Sequence, residues 1–331
     1  MWELSTIIAE FPDLQFYDYT AIENRMTWDR LPKKLHLASI WLAAIGTVLS
    51  AYFILAANAW MQHPVGYTMN TTKGRAELTS IVAVLTQKTA LATFTHTMAF
   101  AAFTAGAFMA GVSGWLLAKK RHEEVLKPTL KLGLVTVLVS FLIVGLTGDW
   151  SARVMTEQQP MKMAAAEALY NTESGAPFSL FTVGTLDGSK SVFQIGIPKM
   201  LSFLSTGNFN GSVEGINDLQ AKYEQQYGPG NYKPIIPIAY WGFRLMIGFG
   251  AIAFLFSLIA LYQIRRRGVP TGKWFVPAMV WMPFLPLLAN SMGWIFTETA
   301  RQPWTVFGLA KTSDGVSPQV GTTSLWITLI G

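Results

Sequence analysis

Trp294-Ile-Phe-Thr-Glu-Thr-Ala-Arg-Gln-Pro-Trp304 closes a charge-free apolar run, residues 274–297, that is long enough to cross a bilayer. The run decides the fold class. A segment in hydrocarbon has no water to satisfy its backbone, and a helix satisfies that backbone internally. Where the run ends, Glu298 and Arg301 stand one helical turn apart. Gln302 and Pro303 then stop the helix, because proline lacks an N–H and clashes with the preceding turn. Trp294 and Trp304 bracket the cluster, as aromatic residues do near a membrane surface. Two readings stay open at this point. One is an interfacial ion pair that finishes a helix. The other is a carboxylate held near a buried cofactor, with an arginine to pair the cofactor's acidic groups.

The same pattern recurs along the chain. Apolar runs cover about 35–60, 89–118, 132–148 and 235–264, and residues 320–331 open a sixth that is cut short at Gly331. Half of the residues are hydrophobic (51%) and only 13% are charged, about half the charge of a soluble domain. The expected fold is therefore an all-α polytopic transmembrane helix bundle with about five full spans. Residues 1–27 read as an exposed lead-in without a basic n-region, so no signal peptide is expected. Residues 28–150 carry spans one to three, and 234–331 carry spans four and five and the start of the sixth. The stretch 151–233, rich in Gly, Asn, Ser and Pro, is a long polar loop. No internal repeat relates the two halves, which argues against an inverted-repeat transporter. The absence of cysteine excludes disulfides, iron–sulfur clusters and thiolate-ligated haem.

The net charge of +6 gathers at span ends. Lys33, Lys34, Lys119, Lys120, Arg121, Lys127, Lys131, Arg265, Arg266, Arg267 and Lys273 mark alternate ends of consecutive spans, which puts them all on the cytoplasmic side. That distribution points to membrane topology, not to nucleic-acid binding. The loops 65–88 and 151–233 and the Arg301 cluster then lie on the outer side.

Two side chains, His96 and Arg244, are out of place in hydrocarbon, and Met246 stands close to the second in sequence. His96 sits in Phe94-Thr95-His96-Thr97, inside the second run. It is either a haem ligand or a neutral imidazole bonded to a neighbouring helix. Arg244, in Phe243-Arg244-Leu245-Met246, needs an anionic partner, for which a haem propionate is one choice. Met246 is either packing or the second axial ligand of a His/Met haem. At 1.5 Å per residue His96 and Met246 lie about 10–18 Å below the outer surface, so they can face each other across one cofactor. In the loop, Gln159-Pro-Met-Lys-Met-Ala-Ala-Ala-Glu167 reads as a short amphipathic helix opened by Pro160. Lys162 and Glu167 either finish an interfacial helix or bind a polar head group and carry its proton.

Those motifs, with Ala57-Asn58-Ala-Trp60-Met61-Gln62, resemble subunit I of the cytochrome bd-type quinol oxidases from about Trp28 to the end of the chain. The resemblance implies a terminal oxidase subunit of the bacterial inner membrane, partnered by subunit II. It would oxidise ubiquinol or menaquinol at the outer loop and pass electrons through haems to dioxygen. It implies His96 and Met246 as axial ligands of a low-spin haem b with Arg244 nearby, and Lys162 and Glu167 as quinol contacts. It implies Glu298 as ligand of a high-spin haem b, with Trp294 and Arg301 around it and haem d as a further cofactor. The family has several helices ahead of the one matching 35–60, with residues for the high-spin pair and the proton path, where this chain has residues 1–27. Ala300 stands where the family motif usually has glycine. The rival readings are a haem- or quinone-binding membrane fragment without oxidase activity and a haem-free transporter or channel.

Overall fold

The computed structural model describes residues 32–185, 190–269, 273–315 and 320–330; the lead-in 1–27 lies outside them. The chain divides into two compact units, Met1–Phe53 and Ile54–Gly331. The described part of the first is the start of helix α1 (Lys33–Gln62), whose apolar side chains, Trp41 and Leu42 among them, are exposed.

In the second unit the end of α1 buries Leu55, Ala56 and Ala59. Between the first two spans lie a hairpin, β1 (Tyr67–Asn70) with β2 (Arg75–Leu78), and a short helix α2 (Ile81–Thr86) capped by Ser80. Helices α3 (Lys88–Ala118) and α4 (Glu123–Gln158) form the tightest pair of the bundle. Glycine makes this possible. A Cβ on Gly133 would fall 2.7 Å from the Ala110 nitrogen, and one on Gly106 would fall 2.9 Å from the Gly133 oxygen. Small residues at a crossing let helix backbones touch where lipid gives no hydrophobic drive to association. Gly133→Ala is therefore expected to push the pair apart and cost about 1–3 kcal/mol, the usual range for overpacking. A lowered thermal midpoint of the purified protein checks it; an unchanged one rules the contact out as a determinant.

The helix of the third span does not stop at Asp149-Trp150. Helix α4 runs on to Gln158, and Arg153 pairs with Asp149 one turn back at 3.0 Å. The charges mark departure from the apolar layer, and the helix itself continues. It hands over at Gln159 to α5 (Pro160–Glu167). Then follow β3 (Glu173–Ser174), β4 (Phe178–Gly184), β5 (Ser191–Ile197), α6 (Met200–Thr206), β6 (Ser212–Val213) and α7 (Ile216–Tyr227). The strands pair as β3 with β6 and β4 with β5, both antiparallel. The stretch read as a polar loop is thus largely regular structure. Its core joins Met161, Tyr170, Ile216, Leu219, Tyr223, Tyr232 and Trp304.

Helix α8 (Ile236–Arg267) is the fourth span. The fifth apolar run is two helices, α9 (Phe275–Trp281) and α10 (Phe284–Thr299), because Pro283 interrupts the ladder. The same turn lets α3 approach closely: a Cβ on Gly111 would fall 2.7 Å from Pro283 Cδ. A short hairpin, β7 (Trp304–Val306) with β8 (Ala310–Lys311), follows, and the last described element is α11 (Thr322–Ile330). Among the described residues, five helical segments are long and apolar enough to cross a membrane: Lys33–Gln62, Lys88–Ala118, Glu123–Gln158, Ile236–Arg266 and Phe275–Thr299.

Candidate functional site

The site is organised by α5. Its alanines leave room for neighbours on every side, and α4, α7 and α8 all pack against it. Each residue from Met161 to Glu167 is buried, so this is not the amphipathic interfacial helix expected from Pro160 and its flanks. Lys162, near its start, is 5% exposed, and its Nζ donates to Gln62 Oε1 at 2.8 Å. Beside it Gln159 Nε2 donates to the Gln62 carbonyl at 2.6 Å. Glu167, at the other end, is 1% exposed. Its Oε2 accepts from Arg244 Nη2 at 2.7 Å and from the Ser179 N–H at 2.9 Å. The Ser179 hydroxyl in turn meets Thr182 at 2.6 Å and Tyr240 at 2.8 Å.

The anionic partner of Arg244 is therefore Glu167. A haem propionate was one choice for that partner; the packing of α5 against α8 instead brings Glu167, 77 residues away in sequence, to the guanidinium. The guanidinium also faces the rings of Phe178, Tyr240 and Phe243 at 4.6–5.1 Å, within cation–π range. Its Nε and Nη1 are buried with no hydrogen-bond partner among the described residues. A group with two unused donors still has capacity for an anionic ligand.

Burial sets the proton chemistry of the pair. It lowers Lys162 to about 7, helped by the Arg301 charge and opposed by Glu298. It raises Glu167 to about 7, against the pull of Arg244 and the Ser179 N–H. A base and an acid that both titrate near neutrality, five residues apart, are suited to exchanging protons with a ligand.

Both side chains line a cavity of about 440 Å³, whose wall continues down to His96 and Met246. The volume lies in the range of small-molecule and cofactor sites. His96 Nδ1 is 3.2 Å from Thr147 Oγ1, and that hydroxyl donates to the Ile143 carbonyl at 2.8 Å. The hydroxyl proton being committed, Nδ1 must donate, which leaves Nε2 as the nitrogen with a lone pair. A ring held through one nitrogen so that the other is free to coordinate is the usual state of a metal-ligating histidine. Met246 lies against Gly293, where a Cβ would fall 2.8 Å from its Sδ. The available imidazole nitrogen and the thioether, both on the wall of this cavity, fit a haem.

Glu298 lies outside this cavity. Its side chain is 40% exposed; Oε2 accepts from Arg301 Nη2, and Oε1 accepts from Asn58 Nδ2 at 3.2 Å. Arg301 is buried, with Nε and Nη1 unpartnered among the described residues, and Trp294 is exposed. Trp304 is not an interfacial anchor. It is buried in an aromatic cluster, stacked on Tyr232 with ring centroids 5.6 Å apart. Thr147, Ser179 and Tyr240 drew no notice in the sequence, since serine, threonine and tyrosine carry no distinguishing pattern there. Asn58 and Gln62 were visible as two amides four apart at the end of an apolar helix, and they do bond to each other at 2.7 Å.

The model of the cytochrome bd terminal oxidase subunit I family matches residues 25–331. The chain belongs to that family. It is 42% identical over 305 residues to the cytochrome bd ubiquinol oxidase subunit 1 of Bacillus subtilis (strain 168), covering 92% of this chain and 64% of that one. It is 28% identical over 343 residues to the cytochrome bd-II ubiquinol oxidase subunit 1 of Escherichia coli (strain K12), covering 86% and 66%. The bd oxidase structure from Geobacillus thermodenitrificans superposes with a TM-score of 0.80 at 28% identity, over 93% of this chain and 69% of that one. The chain thus spans about two thirds of the length of its relatives. Family membership and five apolar helices make it a multi-pass membrane protein with the expected helical bundle.

Proposed function

We propose that the chain is subunit I of a cytochrome bd-type terminal oxidase of the bacterial inner membrane. Beside a subunit II it oxidises ubiquinol or menaquinol at the outer face, for the reduction of dioxygen to water. One observation carries the reading: Lys162 and Glu167 share a single cavity with His96 and Met246. Groups suited to a quinol head group and groups suited to iron thus border one space, so electrons have a short way to travel.

Glu167 takes a proton from one quinol hydroxyl, its acidity being matched to neutral pH. Lys162 holds the other oxygen. Arg244 holds Glu167 through Oε2, and its remaining donors would be free for an acidic group of the cofactor. His96 through Nε2 and Met246 through Sδ would hold a low-spin haem b. That haem supplies a one-electron acceptor whose potential is set by its axial ligands and burial. Glu298, with Arg301 and Trp294 beside it, would be the ligand of a high-spin haem b, and haem d would be the further cofactor of the oxygen site.

The test is a reduced-minus-oxidised absorption spectrum of the purified chain, repeated with carbon monoxide. A low-spin b signal supports the electron-entry role, and a carbon monoxide response extends it to the oxygen site. The absence of any haem would overturn the reading. Within it, Lys162→Met removes a charged hydrogen-bond donor. It is expected to weaken binding of a short-chain quinone about tenfold or more, with the low-spin spectrum intact.

A further inference from the structure

Lys162 is joined to the Glu298–Arg301 pair through two amide side chains. Lys162 Nζ donates to Gln62 Oε1 at 2.8 Å, Gln62 Nε2 donates to Asn58 Oδ1 at 2.7 Å, and Asn58 Nδ2 donates to Glu298 Oε1 at 3.2 Å. Arg301 Nη2 closes the chain on Glu298 Oε2. Every donor points the same way, from the ammonium towards the carboxylate. The two ends fix both amides. Turning Gln62 over would set its NH2 against the ammonium, and turning Asn58 over would set its carbonyl against the carboxylate. Gln62 is held a second time, through its backbone carbonyl, by Gln159. The quinol and haem roles above leave Asn58 and Gln62 without a part.

We propose that Asn58 and Gln62 form a positioning bridge that holds the Lys162 ammonium on the cavity wall and ties its placement to the Glu298–Arg301 pair. The bridge rests on the quinol reading for its purpose, but its existence can be tested without it. Both amides lie on the last two turns of α1, one turn apart on one face, so a single rigid helix carries both links. A long, flexible lysine side chain gains most from such a fixed acceptor, because its free rotamers would otherwise scatter the charge through the cavity.

The experiment uses the full chain in native membranes and after purification, with two readouts. One is the dissociation constant and KM for a short-chain benzoquinone and its quinol, alongside the low-spin haem spectrum. The other is the rate of reductive methylation of Lys162 by formaldehyde, read by mass spectrometry, with exposed Lys127 as internal standard. Gln62→Leu is expected to raise the quinone dissociation constant and KM about tenfold, the scale of one charge-assisted hydrogen bond. kcat should change less than KM, the spectrum should stay the same, and Lys162 should methylate faster. Gln62→Glu keeps an oxygen facing the ammonium but has no N–H for Asn58 Oδ1, so it should slow Lys162 methylation back towards the wild-type rate while leaving the link to Asn58 cut. Asn58→Leu, one link further away, should shift both in the direction of Gln62→Leu by a smaller factor.

Unchanged methylation and binding in Gln62→Leu would overturn the proposal, and wild-type behaviour of Asn58→Leu would overturn the bridge to Glu298. A wild-type chain that binds no quinone would sink the quinol reading instead, and the methylation rates would still decide whether the bridge exists. Loss of the haem spectrum in Gln62→Leu would point to a damaged fold, and two other variants then carry the decision: slow methylation in Gln62→Glu with a normal spectrum supports the hold of residue 62 on Lys162 and fast methylation overturns it, while faster methylation in Asn58→Leu supports the link onward to Glu298 and a wild-type rate overturns it.

Discussion

Replacing Arg244 with methionine is expected to destabilise the protein by about 3–5 kcal/mol at alkaline pH, the usual cost of removing one partner of a buried ion pair. Arg244 and Glu167 meet at 2.7 Å with side chains 9% and 1% exposed. The loss leaves a carboxylate in an apolar wall with only the Ser179 N–H on the same oxygen. The cost should depend on pH, and its sign follows from the proton balance. An ordinary glutamate ionises near 4.5, while native Glu167 holds its proton to about 7. Between those values the folded state binds more protons than the unfolded one, so stability falls as pH rises through that window and levels off above it. Without the arginine the folded value moves higher still, and the fall continues beyond neutrality. The deficit of Arg244→Met should therefore be smaller at about pH 5.5 than at about pH 8.5. Thermal unfolding at the two values measures it; a deficit that stays constant would mean that Glu167 does not take up the proton.

His96→Ala should remove the low-spin haem signal altogether. The imidazole is the stronger of the two proposed ligands, and its tautomer is set by Thr147 through Nδ1. Thr147→Val keeps the ring but frees it to turn or to protonate the wrong nitrogen. Loss of such a supporting contact weakens metal retention about 10–100-fold. Haem titration into the two variants should thus give no low-spin spectrum for His96→Ala and a weakened one for Thr147→Val. An unchanged spectrum in His96→Ala would withdraw His96 as a ligand and, with it, the reading of the cavity.

The bundle was legible because the spans are long runs with Arg244 as their one charge, and the motif around Glu298 carries the resemblance to the family. What the sequence hid were places where local rules compete with tertiary context. Asp149 and Trp150 look like a stop, yet a helix leaving the apolar layer keeps its hydrogen-bond ladder and adds the Asp149–Arg153 pair. Pro283 sits in an apolar run whose hydropathy does not register a break in backbone geometry. Lys162 and Glu167 were found by their motif, but their burial was not, since alanines read as neutral towards exposure. The Arg244–Glu167 pair joins residues 77 apart, beyond the reach of any spacing argument. The amides of α1 were quoted as part of a motif and carried no meaning until Lys162 and Glu298 were seen at either end of them.

Helix α4 has 36 residues, about 54 Å at 1.5 Å per residue, against about 30 Å of hydrocarbon. The overhang works as a mast. Its upper turns carry Gln158 and, across a single residue, α5, so the floor of the cavity beside Thr147 and the roof above Lys162 and Glu167 hang from one continuous rod. Whatever rocks that rod in the bilayer carries floor and roof together. The spacing along the rod between Thr147, which meets His96, and the start of α5 is thus set by helical rise and stays fixed while the surrounding lipid changes thickness.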